Sequence, residues 1–172
     1  MANTFAAFLL SLSMVESGGD YQSVNTLNFL GAYQFGEAAL TDLGFVRYDG
    51  DAYDNDFSGG WTGKYGVRSL QGFLRSERAQ DRAAEDWMRL MWSYIKKDRT
   101  DRFAWQMVGQ TRLTTSGMLA AAHLLGPGAL KEYIESNGTL DLRDPYGTPI
   151  VQYINNLGGY EIPFAPDDPS AS

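Results

Sequence analysis

Residues 4–19, TFAAFLLSLSMVESGG, decide the fold. Phe5, Phe8, Leu9 and Leu12 recur at helical spacing, Asn3 or Thr4 is placed to cap the first turn, and Gly18 with Gly19 stops the run. The apolar run is too short to span a bilayer, and it has neither a basic start nor a small-residue cleavage site. It reads as a folded helix rather than a signal peptide. Glu16 falls in its last turn, seven residues after Leu9. At about 100° per residue that spacing leaves the carboxylate roughly 20° from Leu9, on the apolar face. A carboxylate so placed is either a mistake, a salt-bridge partner or a tuned acid, because burial disfavours its charged form, while a single Glu near a helix end is more often a solvated or capping residue.

The rest of the chain is mostly helical in pattern. Residues 21–33 read as an irregular loop, and 36–43 as a short helix that Gly44 terminates. From Ser76 the series Ala83, Trp87, Leu90, Met91, Tyr94 predicts a long amphipathic helix, with Lys96 and Lys97 at the negative end of its dipole. Thr114 or Thr115 opens a nearly all-apolar helix through MLAAAHLL (118–125), which Gly126 and Pro127 end, and a further short helix covers Leu130, Tyr133 and Ile134. Thr148 as cap with Pro149 at the first position begins a last helix carrying Ile150, Tyr153, Ile154 and Leu157 on one face. The strand candidate is a short ribbon within residues 44–66. The expected class is mainly α, as one domain over residues 1–160 followed by a loosely ordered tail, 161–172.

Composition narrows the function. A chain of 172 residues can build one core without disulfides, and with no cysteine there is no thiolate metal site. No cofactor is implied. Fourteen Lys and Arg against 21 acidic residues give a net charge of -7, which argues against a nucleic-acid partner. No transmembrane segment is expected.

Three blocks then bear on chemistry. ESGGDY (16–21), GAYQFGEAALTDLG (31–44) and AHLLGPG (122–128) occur in this order. Together they resemble the lytic transglycosylases of the SLT type and their relatives the goose-type lysozymes, over roughly residues 4–157. The resemblance implies a lysozyme-like helical domain in which Glu16 is the sole catalytic acid and base. It further implies that Ser17 lies beside that carboxylate, though a Ser in a helix's last turn is equally ordinary, that Tyr33 (where Met is usual) and Gln34 belong to the second block, that AHLLGPG lines the sugar cleft, and that Ser17, Tyr33, Gln34, His123 and Tyr153 bind the substrate. Tyr153 in VQYINN resembles a late tyrosine that approaches the glutamate. The sequence departs from the family at His123, where Tyr is usual, and at Leu124, where a sugar-binding Asn is usual. His123, the single histidine, reads either as a core residue bonded to a backbone carbonyl or as a cleft residue. Tyr33, Phe35 and Tyr153 could stack on sugar rings, order the glutamate, or fill a core.

The activity so implied is cleavage of the β-1,4 bond between the amino sugars of peptidoglycan. Glu16 protonates the glycosidic oxygen and then takes the proton of the muramyl 6-hydroxyl, which closes a 1,6-anhydro ring. A hydrolytic muramidase on the same scaffold is the alternative, and in its inverting form it needs a second carboxylate about 6.5–9.5 Å away. Asp20, Glu37 and Asp42 are candidates, with Glu37 better read as a charge favourable to the start of its helix. A glycan-binding module of a phage tail or secretion device that has lost turnover is the reading from another class. The partner is in each case the peptidoglycan glycan strand, and the place of action the periplasm or cell wall, reached through a phage particle, a holin or a secretion machine.

One pattern remains. Asp54, Asp56, Ser58 and Gly59 match the first half of a calcium loop, but its twelfth place is Tyr65 where a bidentate Glu is needed. A solvated acidic loop is the better reading of residues 48–64, YDGDAYDNDFSGGWTGK.

Overall fold

The computed structural model describes residues 3–170; the outermost residues of the expected domain and tail, 1–2 and 171–172, lie outside them. Among the described residues are six α-helices and one two-stranded antiparallel sheet, a mainly helical architecture. The helices are α1 (Phe5–Ser17), α2 (Glu37–Asp42), α3 (Leu70–Arg75), α4 (Glu77–Lys97), α5 (Thr115–Glu135) and α6 (Ile150–Asn156). The strands β1 (Met107–Val108) and β2 (Thr111–Arg112) pair as a hairpin. None of the described helices is long and apolar enough to cross a membrane.

The chain divides into two compact units, Leu9–Trp87 and Met1–Phe8 with Met88–Ser172. In the Leu9–Trp87 unit an aromatic cluster forms the centre. Phe73 meets Phe45 at 5.6 Å, Trp61 at 5.5 Å and Phe35 at 6.3 Å between ring centroids, and Leu12, Leu30 and Leu40 are fully buried with them. Edge-on and tilted ring pairs at these separations add to the burial of large apolar surface. Helix α3, which no reading of the periodicity anticipates, has Ser69 as cap, its side chain accepting from the Gly72 N–H at 3.0 Å. The ribbon expected within 44–66 takes the form of a single antiparallel bridge, Val46 to Trp61. Between these residues the chain is irregular.

In the other unit α5 and α6 are the main packed pair, and their approach requires glycine. A Cβ on Gly117 would stand 2.6 Å from the Ile154 carbonyl oxygen. Thr114 caps α5, accepting from the Gly117 N–H at 3.0 Å. As the glycine and proline predict, α5 breaks at Gly126, whose φ is +86°, and a second helical stretch carries the buried Leu130, Tyr133 and Ile134. Helix α6 differs from expectation at its start. Pro149 is the N-cap with extended backbone (φ -74°, ψ 142°), not the first helical residue, and Thr148 makes no cap. The β1–β2 hairpin has no counterpart in the sequence pattern either, since two-residue strands carry no usable alternation.

The segment after Tyr160 is held at several points. Ile162 is buried, Phe164 meets Phe5 edge-on at 5.4 Å, the Trp105 indole donates to the Pro166 carbonyl at 2.8 Å, and Arg112 pairs with Asp168 at 2.9 Å. Proline and aspartate in this stretch predict a loosely lying tail; apolar and indole contacts anchor it instead.

Candidate active site

Glu16 is the next-to-last residue of α1 and is half-buried, while Leu9, the leucine on its face, is buried. The difference comes from position. Leu12 and Ser13 are the last buried residues of α1, and the final turn runs past them, with Met14 and Val15 exposed.

Beyond Glu16 the chain reverses tightly. Gly18 and Gly19 have φ of +70° and +78°, and their N–H groups return to the Met14 and Ser13 carbonyls at 3.1 and 3.0 Å. A Cβ on Gly19 would meet Met14 Sδ at 3.1 Å. The reversal lets the Ser17 hydroxyl accept from the Asp20 N–H at 3.1 Å while donating to the Ala32 carbonyl at 2.9 Å. That second bond ties the ESGG turn to the GAYQF block.

The GAYQF block is itself a small antiparallel arrangement, with bridges Val24–Leu30 and Leu30–Phe35. Gln34 closes it in left-handed backbone (φ +50°), its side-chain amide donating to the Gly31 carbonyl at 3.0 Å. Gln34 is thus buried and engaged with its own loop. Tyr33 is 3% exposed and donates its hydroxyl to Asp81 at 2.8 Å. Phe35 is buried too, and in this conformation neither ring offers a face for a sugar.

Two residues that sequence reasoning missed hold this block. Gln80 is fully buried; its carbonyl accepts from the Ala32 N–H at 2.9 Å and its amide donates to the Tyr21 and Phe73 carbonyls at 2.9 and 3.0 Å. Gly31 has no room for a side chain for the same reason, a Cβ there lying 2.0 Å from Gln80 Oε1. Asp81 accepts from both Tyr21 and Tyr33 at 2.8 Å. Burial first, then the Asp81 hydrogen bond and charge, push the Tyr21 phenol up to about 12 and raise the Tyr33 phenol as well. A signal for Gln80 existed in the sequence. It lies three, four and seven residues before Ala83, Ala84 and Trp87, on the apolar stripe of α4, where an uncharged polar residue must find partners.

His123 and Tyr153 lie in the other unit. His123 is half-buried on α5, three residues before the Gly126 break; Tyr153 is 5% exposed on α6. Two open clefts of that unit are lined by other residues, one by Asn3, Trp105, Tyr160 and Asp168 among others, the second by Thr111, Tyr133, Asn137 and Ile150.

Of the candidate second carboxylates, Glu37 stands apart. It opens α2, is 0% exposed, and its Oε2 accepts from the Phe57 N–H at 2.8 Å, which closes the 48–58 loop onto the helix. It stands at the helix start, where the sequence places it, but its partner is the loop. Asp20 and Asp42 are exposed. Asp20 Oδ1 accepts from the Gln22 N–H at 2.8 Å, an ordinary turn role.

No family model, curated protein or solved structure matches this chain.

Proposed function

We propose that this protein cleaves peptidoglycan glycan strands with Glu16 as its single acid and base, as a lytic transglycosylase. The observation that carries the reading is the Ser17–Ala32 bond. It joins the turn after Glu16 to the GAYQF block, so that two blocks resembling the family in sequence form one local structure. Gln80 and Asp81 hold that structure from α4. Tyr33 and Gln34 serve it as positioning residues, not as sugar contacts.

In the proposed reaction the Glu16 carboxylic acid gives its proton to the glycosidic oxygen as the bond to the anomeric carbon breaks. The resulting carboxylate takes the proton of the muramyl 6-hydroxyl, whose oxygen attacks that carbon. The proton count closes on Glu16, ready for another turn, and no water is consumed. General acid–base catalysis of this kind is worth about 10²–10⁴-fold. Release of soluble fragments from dye-labelled sacculi should therefore fall at least about a hundredfold in Glu16→Gln, which keeps the shape and removes the proton donor. Activity retained within tenfold of wild type, in folded protein, would reject the assignment.

A further inference from the structure

The acidic loop that follows α2 holds a cluster the proposed chemistry does not use. Glu37, Asp49, Asp54 and Asp56 each bring a carboxylate oxygen to one place, all within 4.8 Å of one another. Four carboxylates gathered on a loop are common on protein surfaces, and alone they indicate nothing. Glu37 is different from the other three, which are exposed. It is 0% exposed; one oxygen accepts from the Phe57 N–H, and the other, Oε1, is buried with no hydrogen-bond donor to it among the described residues. A buried carboxylate oxygen with no donor is costly unless a proton shared with a neighbouring carboxylate or a cation completes it.

We propose that Glu37, Asp49, Asp54 and Asp56 form a calcium site that fastens the 49–58 loop to the start of α2. The donors are all hard carboxylate oxygens, with no nitrogen or sulfur, which suits calcium rather than zinc. Oxygens about 2.4 Å from a calcium ion are at most about 4.8 Å apart, so the cluster fits within one coordination sphere. Asp54, Asp56 and Ser58 occupy the first, third and fifth places of the calcium-loop pattern. Tyr65 occupies its twelfth, and Glu37 supplies from another element the carboxylate missing there. Ser58 already orders two of the carboxylates, its hydroxyl donating to Asp49 and its N–H to Asp56, each at 2.7 Å.

The site is independent of the proposed catalysis, and its test does not use activity. The protein is stripped with EDTA and melted with calcium, with magnesium, or with EDTA alone. At calcium a hundredfold above its Kd the Tm should rise by about 5–10 °C, and magnesium, which demands a stricter octahedron and keeps its waters, should give less than half of that. In the double variant Asp54→Asn, Asp56→Asn, whose side chains are exposed and keep an acceptor oxygen, the rise should vanish with little change in the melting temperature in EDTA. As a second readout on the wild type, Tb3+ should bind saturably with luminescence excited through Trp61, which stacks on Phe57 at 6.1 Å, and calcium should displace it. Equal Tm in calcium and EDTA, an equal rise with magnesium, a rise that survives in the double variant, or the absence of calcium-displaceable terbium luminescence would overturn the proposal.

Discussion

At the scale of single residues, the turn after Glu16 rests on conformations that side chains resist. Two successive glycines in left-handed backbone end α1 abruptly, and Ser17 uses the reversal to reach both Asp20 and Ala32. Nearby, Tyr21 and Tyr33 share one acceptor on Asp81, which fixes the sign of a pH effect. The folded Tyr21 phenol titrates near 12 rather than its ordinary 10.0, and Tyr33 shifts in the same direction. Between those values the unfolded chain binds fewer protons than the folded one, so stability falls as pH rises. Their contribution is complete below pH about 10 and is lost through the folded values. Thermal melts from pH 9 to 12 should show this decline, and a Tyr21→Phe, Tyr33→Phe double variant should show a shallower one; equal slopes would contradict it. The role of the two glycines was legible in the sequence, because helix-stopping is a local property. A core place for Tyr33 was among the readings the sequence left open, but its partner Asp81 was not legible, since it lies 48 residues away on α4.

At the scale of elements, caps and breakers placed α1, α2, α4, α5 and α6, while α3 and the β1–β2 hairpin escaped. Thr4 accepts from the Ala7 N–H at 3.3 Å, Thr114 caps α5, and Gly126 breaks it, all as the residue types suggest. Helix α3 and the β1–β2 hairpin are too short for periodicity to register, although Ser69 before LQGFL was a readable cap. Tertiary placement also moved the start of α6 past Pro149, whose backbone stays extended. Two substitutions probe how the elements are joined. Gly117→Ala drives a methyl toward the Ile154 carbonyl and should cost about 1–3 kcal/mol in the α5–α6 pair, read by chemical denaturation. Gln80→Leu keeps the volume of a side chain on α4 but strands the Ala32 N–H and the Tyr21 carbonyl, while the Phe73 carbonyl keeps the Ser76 N–H. It should cost about 3 kcal/mol or more, because buried groups left unpaired carry their full desolvation penalty. A loss below about 1 kcal/mol would mean that water or a neighbour replaces those bonds.

At the scale of the whole molecule, composition and pattern indicate the class, mainly α, and leave the division into two units unseen, because no linker or shift in composition marks it. The proposed calcium loop shows the same limit more sharply. Its first half was readable between Asp54 and Gly59, while the carboxylate that completes it lies 17 residues earlier at the start of α2. Net charge of -7 gives no general attraction to an anionic wall, so the glycan recognition we propose would have to come from local contacts near Glu16. The most direct test of that claim is mass spectrometry of the muropeptides released from purified sacculi by the wild-type protein, with Glu16→Gln alongside. Intramolecular attack predicts products lighter by one water, about 18 Da, than hydrolytic ones, formed by the wild type and not by the variant. Reducing-end products would contradict the transglycosylase reading, and no products from folded wild-type protein would contradict catalysis itself.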